Sequence, residues 1–252
     1  MISIITVVKN DFVGLVASYE SIRSNLDKCE WIVVDGGTDL RTQKWIYSLD
    51  YNPIYINEPD KNLYDAMNKG INLATRTHTH FLNAGDQFNG TKDIFRIISS
   101  LGVDEGFIGC ISRFDEKNTL PQEIIKPKKF SALCIKYGIF PASHQGTIYP
   151  TLFLKQNLYD VNIGLCADQV SILQLLQNCR VLFSDSLIVA YFKNGGIGDT
   201  QKRGAFFMQM FSFRYRYSSP MLRTVQLIIF LPLLGIKVLT KIFAIVNRWK
   251  KT

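Results

Sequence analysis

Polar side chains cluster at four points of the sequence, each directly after a short apolar segment. In chain order the four groups are Lys9 with Asn10, residues 35–39, residues 58–60 and residues 83–86. A carboxylate beside a hydrophobic segment is costly unless another group compensates its charge. Brought together, the four groups would bind a ligand rich in hydroxyls, together with a cation. Asp, Asn and Gly are also common in turns and helix caps, so each group keeps a purely structural alternative.

The segments between these groups predict strands that alternate with helices. Apolar, β-branched runs predict strands at 2–8, 31–35, 53–57 and 78–85, and helical spacing predicts helices at 14–26, 40–49 and 63–75. Such alternation is typical of βαβ units around a parallel sheet, and strands without polar alternation are covered on both faces. In open parallel sheets, ligands bind outside the carboxyl ends of the strands, which is where the four polar groups lie.

After residue 105 the pattern is weaker. It predicts strands at 106–114 and 180–192, helices near 150–158 and 168–178, and a basic loop at 126–130. The first ten residues are interpreted as a strand rather than a signal peptide, because they contain neither a basic segment nor a small-residue cleavage site. The five cysteines include no CxxC pair, which argues for reduced thiols and against a zinc site or a disulfide scaffold.

Charge divides the chain into two parts. Ten of the 29 basic residues and none of the 21 acidic ones lie beyond residue 199, so residues 1–199 carry a net charge of −2. The basic part contains the apolar run 224–246, which is long enough for the ~20 residues that span a bilayer. Pro232 and two lysines interrupt this run.

The basic residues in and just after this run point to a membrane surface. Lys237, Lys241 and Arg248 share one helical face beside a broad apolar face, which is the pattern of an interfacial helix on anionic lipid. Binding to nucleic acid does not need so much aliphatic surface, so we expect no nucleic acid as a partner. A helix that docks back on the body of the protein would show the same periodicity and is the alternative. Whether 224–246 spans the membrane or lies on it stays open.

The polar groups lie within a series of short motifs. These are "ITVVKN", "WIVVDGGTD", "EPDKNLYDAMNKG" and "FLNAGD" within residues 2–90, then "HQGTIYP" (144–150), "CADQ" (166–169) and "FKNGG" (192–196). In this order and spacing they resemble the family 2 glycosyltransferases of the bacterial type that builds O-antigen, capsule and exopolysaccharide. The resemblance implies a GT-A fold over residues 1–199, an α/β architecture with a mostly parallel sheet flanked by helices. It leaves residues 200–252 as a basic, apolar helical region that associates with membranes.

The resemblance also implies that a nucleotide sugar lies across the strand ends. Asp35 would meet the uracil or the ribose, and Thr6, Val8 and Asn10 would form the floor of the nucleotide pocket. The other residues implied in the donor site are Gly36, Asp60, Lys61, Tyr64, Asp65, Asn68, Lys69, Asn83, Ala84 and Gly85.

The motif "NAGD" stands where the family has Asp-x-Asp. The resemblance therefore implies that Asp86 holds a Mg²⁺ or Mn²⁺ ion that bridges the donor diphosphate. The first carboxylate of the motif is missing, and Asn83 lies nearby instead. Hard cations often keep waters and substrate phosphates as ligands, so one carboxylate can suffice. The structural alternative for this motif is a simple turn.

Inverting sugar transfer needs a base that takes the proton from the acceptor hydroxyl. The resemblance implies Asp168 in this role, and its structural alternative is an N-cap for a helix at 169–178. His144 is the second candidate, and it could instead contact the diphosphate or be a satisfied core residue. His78 and His80 alternate within a predicted strand, so we expect structural roles for both.

The family's processive members carry a Gln-x-x-Arg-Trp motif, which this sequence lacks. The resemblance thus implies addition of a single sugar by a metal-dependent, inverting hexosyltransferase. The donor would be a UDP-hexose or UDP-hexosamine, and the acceptor a polyprenyl-diphosphate-linked glycan of lipopolysaccharide or other surface polysaccharide. The expected location is the cytoplasmic face of the bacterial inner membrane, peripheral or monotopic. Two alternatives are a polyprenyl-monophosphate sugar transferase and an inactive nucleotide-sugar-binding scaffold of a polysaccharide assembly complex.

Overall fold

The computed structural model describes residues 1–37, 39–115, 118–128, 142–164 and 167–194. The predicted domain boundary at 199, the membrane-associating region 200–252 and the two glycines of "FKNGG" lie outside these residues. In the part of the chain that is described, no helix is long and apolar enough to cross a membrane.

The described residues form one nine-stranded mixed sheet. The strands are β1 (Ile2–Val8), β2 (Cys29–Asp35), β3 (Ile54–Asn57), β4 (His78–Phe81), β5 (Gln87–Phe88), β6 (Glu105–Asp115), β7 (Asn118–Ile125), β8 (Thr147–Pro150) and β9 (Arg180–Lys193). Their order is β3-β2-β1-β4-β8-β6-β9-β5, and β7 pairs with β6. The four strands β3, β2, β1 and β4 are parallel neighbours, whereas β8 runs antiparallel between β4 and β6.

Helices cover both faces of the sheet. They are α1 (Phe12–Ile22), α2 (Leu40–Tyr47), α3 (Leu63–Leu73), α4 (Lys92–Ser100), α5 (Thr151–Gln156) and α6 (Ala167–Asn178). The residues of β1 alternate between two cores: Ile4 packs with α1, α2 and α4 around Trp31, and Ile5 packs with α3, α5 and α6 around Phe81. Because successive side chains of a strand point to opposite faces, this alternation gives three layers with the sheet in the middle.

Three of the helices begin at a side chain that accepts a backbone hydrogen bond. Asp11 accepts from Gly14 at the start of α1, and Asp39 accepts from Arg41 at the start of α2. Asn62 caps α3 by accepting from the amides of the second and third helical residues. Each cap satisfies donors that the first turn of a helix leaves unpaired. For Asp39, therefore, the structure provides the capping role that was the alternative to ligand binding.

The α/β fold and the flanking helices were predicted, but several elements differ from the prediction. Strand β4 ends at Phe81 instead of continuing to residue 85, because the chain turns at residues 83–86. Helix α4 and strands β5, β7 and β8 were not predicted. Helix α4 buries only Ile94 and Ile98, so its apolar stripe is short.

The two histidines of β4 are buried and hydrogen-bonded to main-chain carbonyls. His78 Nε2 lies 3.0 Å from the Glu105 carbonyl, and His80 Nδ1 lies 3.1 Å from the Thr147 carbonyl. Burial lowers the pKa of both rings, that of His80 to about 4. These contacts agree with the structural roles expected for both.

Candidate functional site

The carboxyl ends of β1, β2, β3 and β4 meet at one edge of the sheet. Val8 is in register with Asp35, and Asp35 is in register with Asn57. Main-chain hydrogen bonds join the loops that follow, since the Gly36 amide donates to the Val8 carbonyl at 2.9 Å and the Glu58 amide donates to the Asp35 carbonyl at 3.1 Å. The structure thus brings the four polar groups together, at the edge where open parallel sheets bind ligands.

Asp35 is buried at the end of β2 with both carboxylate oxygens in hydrogen bonds. Oδ1 accepts from the Gly37 amide at 2.8 Å, and Oδ2 accepts from the Tyr55 hydroxyl at 3.0 Å. Burial and the bond to this carboxylate raise the pKa of Tyr55. A fixed carboxylate of this kind can accept hydrogen bonds from the N–H groups or hydroxyls of a ligand.

Two glycines after β2 allow three loops to approach each other closely. A Cβ on Gly37 would lie 2.6 Å from Asn10 Oδ1, and a Cβ on Gly36 would collide with a carboxylate oxygen of Asp60. Asn10 has a φ of +55°, a left-handed conformation that asparagine adopts more readily than most residues. Any side chain at either glycine would therefore displace Asn10 or Asp60 from its present position.

Lys69 is the partner that compensates the carboxylates after β3. Its Nζ lies 2.7 Å from Asp60 Oδ1, 3.0 Å from Glu58 Oε1 and 3.8 Å from Asp65 Oδ2. Partial desolvation lowers the pKa of Lys69, but the hydrogen bonds to Asp60 and Glu58 outweigh it and raise that pKa overall. Three carboxylates around one ammonium leave this corner of the site negatively charged.

Several other predicted donor-site residues have their side chains in structural contacts. Thr6 is fully buried and accepts a hydrogen bond from the Trp31 indole at 3.0 Å. The Asn68 amide donates to the Tyr159 carbonyl and accepts from the Tyr159 amide, both at 2.9 Å. Val8 is buried in the core beneath the loops. The donor-binding roles of Thr6, Val8 and Asn68 stay predictions. Because their side chains are engaged within the protein, their positions favour contacts of a donor with main-chain atoms.

The two other charged residues of the prediction lie at the start of α3, Lys61 in the loop before it and Asp65 in its first turn. Lys61 is exposed, and its amide donates to Asp65 Oδ2 at 3.0 Å. Asp65 therefore fixes the loop just before α3 as well as approaching Lys69. Their proposed contacts with a donor stay predictions.

The "NAGD" motif forms a tight turn that α1 holds in place. The Asp86 amide donates to the Asn83 carbonyl at 2.9 Å, the Ala84 amide donates to the Val7 carbonyl at 3.1 Å, and Gly85 has a φ of +96°. Ser18 of α1 is fully buried; its hydroxyl donates to the Asp86 carbonyl at 2.8 Å and accepts from the Gly85 amide at 3.1 Å. The sequence did not single out Ser18, which lies 68 residues before Asp86.

Two side-chain oxygen atoms of this turn are of the type that binds a cation. Asp86 is buried, and its Oδ1 accepts from the Lys193 amide at 3.1 Å. Asp86 Oδ2 and Asn83 Oδ1 have no hydrogen-bond partner among the residues that the structure describes. Burial raises the pKa of Asp86 to about 7, although the amide and charge of Lys193 oppose this shift.

These two oxygens fit an ion whose remaining ligands come from elsewhere. Mg²⁺ prefers oxygen ligands and usually keeps waters and substrate phosphates in its coordination shell. Over the described ranges, the protein has no group of three or more His, Cys, Asp or Glu side chains that could hold a metal ion. Asp86 with Asn83 would therefore be a partial site that a bound diphosphate completes.

Asp168 lies in the first turn of α6, where its carboxylate contacts Tyr64 of α3. The helix begins at Ala167, so Asp168 is its second residue and does not occupy the N-cap position that was the structural alternative. Its Oδ1 accepts from the Gln169 amide at 2.8 Å and from the Tyr64 hydroxyl at 3.4 Å. Desolvation raises the pKa of Asp168 to about 6, against the opposing hydrogen bonds from Gln169 and Tyr64.

His144 is packed inside the protein, in a short 3-10 turn before β8. Its ring stacks on Phe81 with 4.9 Å between ring centroids, and Nδ1 lies 3.5 Å from the Tyr159 hydroxyl. Burial lowers the pKa of His144 to about 3. A ring with this pKa is a poor proton acceptor at neutral pH, since efficient general bases have a pKa near the working pH.

Comparison with known proteins identifies the family. The sequence profile described as Glycosyl transferase family 2 matches residues 3–153, which is more than half of the chain. The chain therefore belongs to glycosyltransferase family 2. An uncharacterized glycosyltransferase of Mycobacterium tuberculosis is 27% identical over 211 residues, which cover 82% of this chain and 80% of that protein.

Solved structures show the same fold at low sequence identity. Residues 1–349 of S. aureus TarS, crystallised with UDP-GlcNAc, superpose with a TM-score of 0.62 and 16% identity over 86% of this chain and 67% of that one. In another crystal structure of TarS 1–349 this chain covers 64% of the fragment, and in the crystal structure of TarS it covers 39% of that chain. A mannosyltransferase of Pyrobaculum calidifontis in complex with GDP-Man and Mn²⁺ gives a TM-score of 0.57 at 13% identity, over 86% of this chain and 65% of that one. The protein is a glycosyltransferase with a GT-A fold.

Proposed function

We propose that the protein transfers a single sugar from a nucleotide-sugar donor to a polyprenyl-diphosphate-linked glycan, with inversion, in the synthesis of a bacterial surface polysaccharide. The donor is a UDP-hexose or UDP-hexosamine. The observation that carries this proposal is the turn at residues 83–86, where a buried carboxylate keeps an oxygen without a partner among the described residues, at the same sheet edge as Asp35. The UDP-GlcNAc complex of TarS supports the choice of donor.

The donor lies along the sheet edge, with the nucleoside at Asp35 and the diphosphate at the turn. Asp86 Oδ2 and Asn83 Oδ1 hold a Mg²⁺ or Mn²⁺ ion there, and the Mn²⁺ complex of the Pyrobaculum mannosyltransferase supports this choice. A divalent ion supplies counter-charge to the diphosphate leaving group. Asp60 and Lys69 border the site on the side of β3, where Lys69 keeps the carboxylates paired.

Asp168 acts as the base that accepts the proton of the acceptor hydroxyl. Its raised pKa of about 6 supports this role, because a base with a pKa close to the working pH is both ionised and able to accept a proton. The pKa of His144 is far lower, and its ring is stacked on Phe81 in the core. We therefore assign His144 a packing role and not the role of the base.

A donor screen tests the proposal directly. We expect one UDP-sugar to stabilise the full chain in the presence of Mn²⁺, by about 2.7 kcal/mol at a concentration of 100 times its Kd. Melting curves with UDP-glucose, UDP-galactose, UDP-GlcNAc and GDP-mannose identify the donor. Transfer assays then compare a synthetic polyprenyl-diphosphate glycan with a polyprenyl monophosphate. Stabilisation without transfer or hydrolysis supports the scaffold alternative, and transfer to the monophosphate alone supports the other alternative.

Residues 200–252 attach the protein to the cytoplasmic face of the inner membrane in this proposal, which would bring the active site to a lipid-linked acceptor. The support is in the sequence: the ten basic residues of this part have no acidic residue among them, and three of them, in and just after the apolar run, share one helical face. Basic residues near an anionic leaflet contribute about 1 kcal/mol each to binding.

A charge-reversal variant of the full chain checks this attachment. Replacing Lys237, Lys241 and Arg248 by Glu is expected to abolish cosedimentation with vesicles that contain anionic lipid, because attraction becomes repulsion. The control replaces three exposed basic residues of the body by Glu, namely Lys44, Lys92 and Lys155. Unchanged sedimentation of the first variant, or loss of sedimentation in the control alone, contradicts the interfacial helix.

A further inference from the structure

Lys193, the last residue of β9, lies against the turn that carries Asp86. Strand β9 pairs antiparallel with β5, so that Tyr191 is in register with Gln87. Two residues further on, the Lys193 amide donates to Asp86 Oδ1 at 3.1 Å. The position of Lys193 relative to the turn is therefore fixed by a strand pairing and by a hydrogen bond.

The side chain of Lys193 extends over Gly85. A Cβ on Gly85 would lie 3.0 Å from Lys193 Cδ and 4.0 Å from Nζ, so the aliphatic stem covers the glycine and the ammonium stays close to the turn. Gly85 has a φ of +96°, a conformation that residues with a side chain rarely adopt. The glycine thus shapes the turn and also leaves the room that Lys193 occupies. Lys193 is partly exposed, so its side chain is accessible to a ligand at the turn.

We propose that Lys193 is a diphosphate-binding residue, whose ammonium contacts the β-phosphate of the nucleotide-sugar donor beside Asp86. The inference rests on the proposed function, because it requires the diphosphate to lie at the turn. In the transfer step, the bond between the anomeric carbon and the β-phosphate oxygen breaks and its electron pair stays on that oxygen. The acceptor oxygen forms the new bond to the anomeric carbon and gives its proton to Asp168. The charge that develops on the β-phosphate lies where the ammonium of Lys193 can meet it.

The composition of the turn explains why a lysine is useful here. The turn offers one carboxylate, Asp86, and the neutral Asn83 in place of a second one. A site with one carboxylate has less negative charge with which to bind a divalent cation than a site with two. A fixed ammonium supplies part of the counter-charge that the diphosphate needs, and it does so in the presence or absence of a metal ion. Charge-assisted hydrogen bonds of this kind are about twice as strong as neutral ones.

A purely structural role makes a different prediction. If Lys193 only paired with Asp86, its loss would lower the stability of the fold and would affect all nucleotides alike. A diphosphate-binding role distinguishes UDP from UMP, since UMP lacks the β-phosphate.

The experiment compares Lys193→Met with Lys193→Arg in the full chain. Isothermal titration measures the Kd of UDP and of UMP, each with Mn²⁺ and with EDTA, and melting curves measure stability. We expect the Met variant to bind UDP about tenfold to a hundredfold more weakly with less than a twofold change for UMP, and the Arg variant to keep most of the UDP affinity. The loss should persist in EDTA. Lys155→Met, an exposed lysine on α5, is the control and should leave both affinities unchanged.

Each other result overturns a defined part of the argument. Equal losses for UDP and UMP, or no loss at all, overturn the role of Lys193 and leave the proposed function intact. If the Met variant does not fold, the Arg variant decides. It keeps the positive charge, so a loss of its affinity for UDP would contradict the role. A wild-type protein that binds no nucleotide diphosphate overturns the proposed function itself.

Discussion

Replacing Asp168 by Asn is expected to slow sugar transfer by about 10²–10⁴-fold, the usual contribution of a general base. The affinity for UDP and the melting temperature should change little. The reason is that Asn keeps the shape of the side chain and an oxygen that can accept from the Gln169 amide, as Asp168 Oδ1 does at 2.8 Å. The lost negative charge at the helix N-terminus is worth only about 0.3–1 kcal/mol. What the variant lacks is an atom able to accept the acceptor's proton.

The pH dependence of the wild-type rate gives a second readout of the same residue. A base must be ionised to act, and the pKa of Asp168 is raised to about 6. At a saturating concentration of Mn²⁺, which keeps Asp86 ionised, we therefore expect kcat/KM to fall as the pH decreases below 6, by about tenfold for each pH unit. This acidic limb should be absent from the residual activity of Asp168→Asn, whereas a variant with only structural damage would keep it.

His144→Gln provides the comparison, since His144 is the second candidate for the base. Its ring is stacked on Phe81 in the core and has a pKa of about 3, so the loss of activity should be milder and should accompany a lower melting temperature. Asp185→Asn, at an exposed position of β9, is the matched control. If Asp168→Asn works within a few-fold of the wild type while His144→Gln is inactive, the assignment of the base is wrong.

The first half of the fold could be predicted because its signals are local. Strands β1 to β4 are apolar runs separated by helices, and right-handed crossover connections bring such strands side by side. The second half could not be predicted in the same way. Strand β8 lies antiparallel between β4 and β6, and β9 pairs with β6 across more than 70 residues of sequence. Pairings of this kind leave no periodicity in a single sequence.

The same distinction applies to the site. Asp35, Asp60 and Asp86 could be found because each follows a strand, and the parallel sheet brings strand ends together. Ser18 and Lys193 were not found, because each contacts the turn across a long sequence separation, 107 residues between Lys193 and Asp86.

Thr6 illustrates a signal that the sequence did contain. It lies on the same face of β1 as Ile4, and this face packs against α1 and Trp31. The two-residue period of the strand therefore places the Thr6 side chain in the core, whereas the family motif alone suggested the nucleotide pocket.

Replacing Asp86 by Asn is expected to reduce transfer by at least about 10²-fold, comparable to the loss of one group that stabilises the transition-state charge. Asn keeps an acceptor for the Lys193 amide, which Asp86 Oδ1 binds at 3.1 Å, but replaces the anionic Oδ2 by a neutral group. The less conservative Asp86→Ala would also leave this amide unpaired, at a cost of about 1–3 kcal/mol if it is buried. Asn therefore separates the role in cation binding from the role in holding β9.

Stability and metal binding show which role the carboxylate has. The pKa of Asp86 is raised to about 7 in the folded protein, so the folded state binds more protons than the unfolded one between the unfolded pKa and pH 7, and stability falls as the pH rises through that range. In Asp86→Asn this pH-dependent loss should disappear. Adding Mn²⁺ to protein that already contains UDP should raise the melting temperature of the wild type further, and should leave that of the variant at its value with UDP alone.

The decisive measurement is the effect of EDTA on both proteins. We expect EDTA to reduce transfer by the wild type to nearly the level of Asp86→Asn and to leave the variant's residual rate unchanged, because removing the ion or its ligand removes the same counter-charge. Asp93→Asn, an exposed carboxylate of α4, should respond to EDTA as the wild type does. Full activity of Asp86→Asn in EDTA would show that no ion acts at this turn. The positive charge beside the leaving diphosphate would then have to come from the protein itself, and Lys193, which covers the same turn, is the residue placed to supply it.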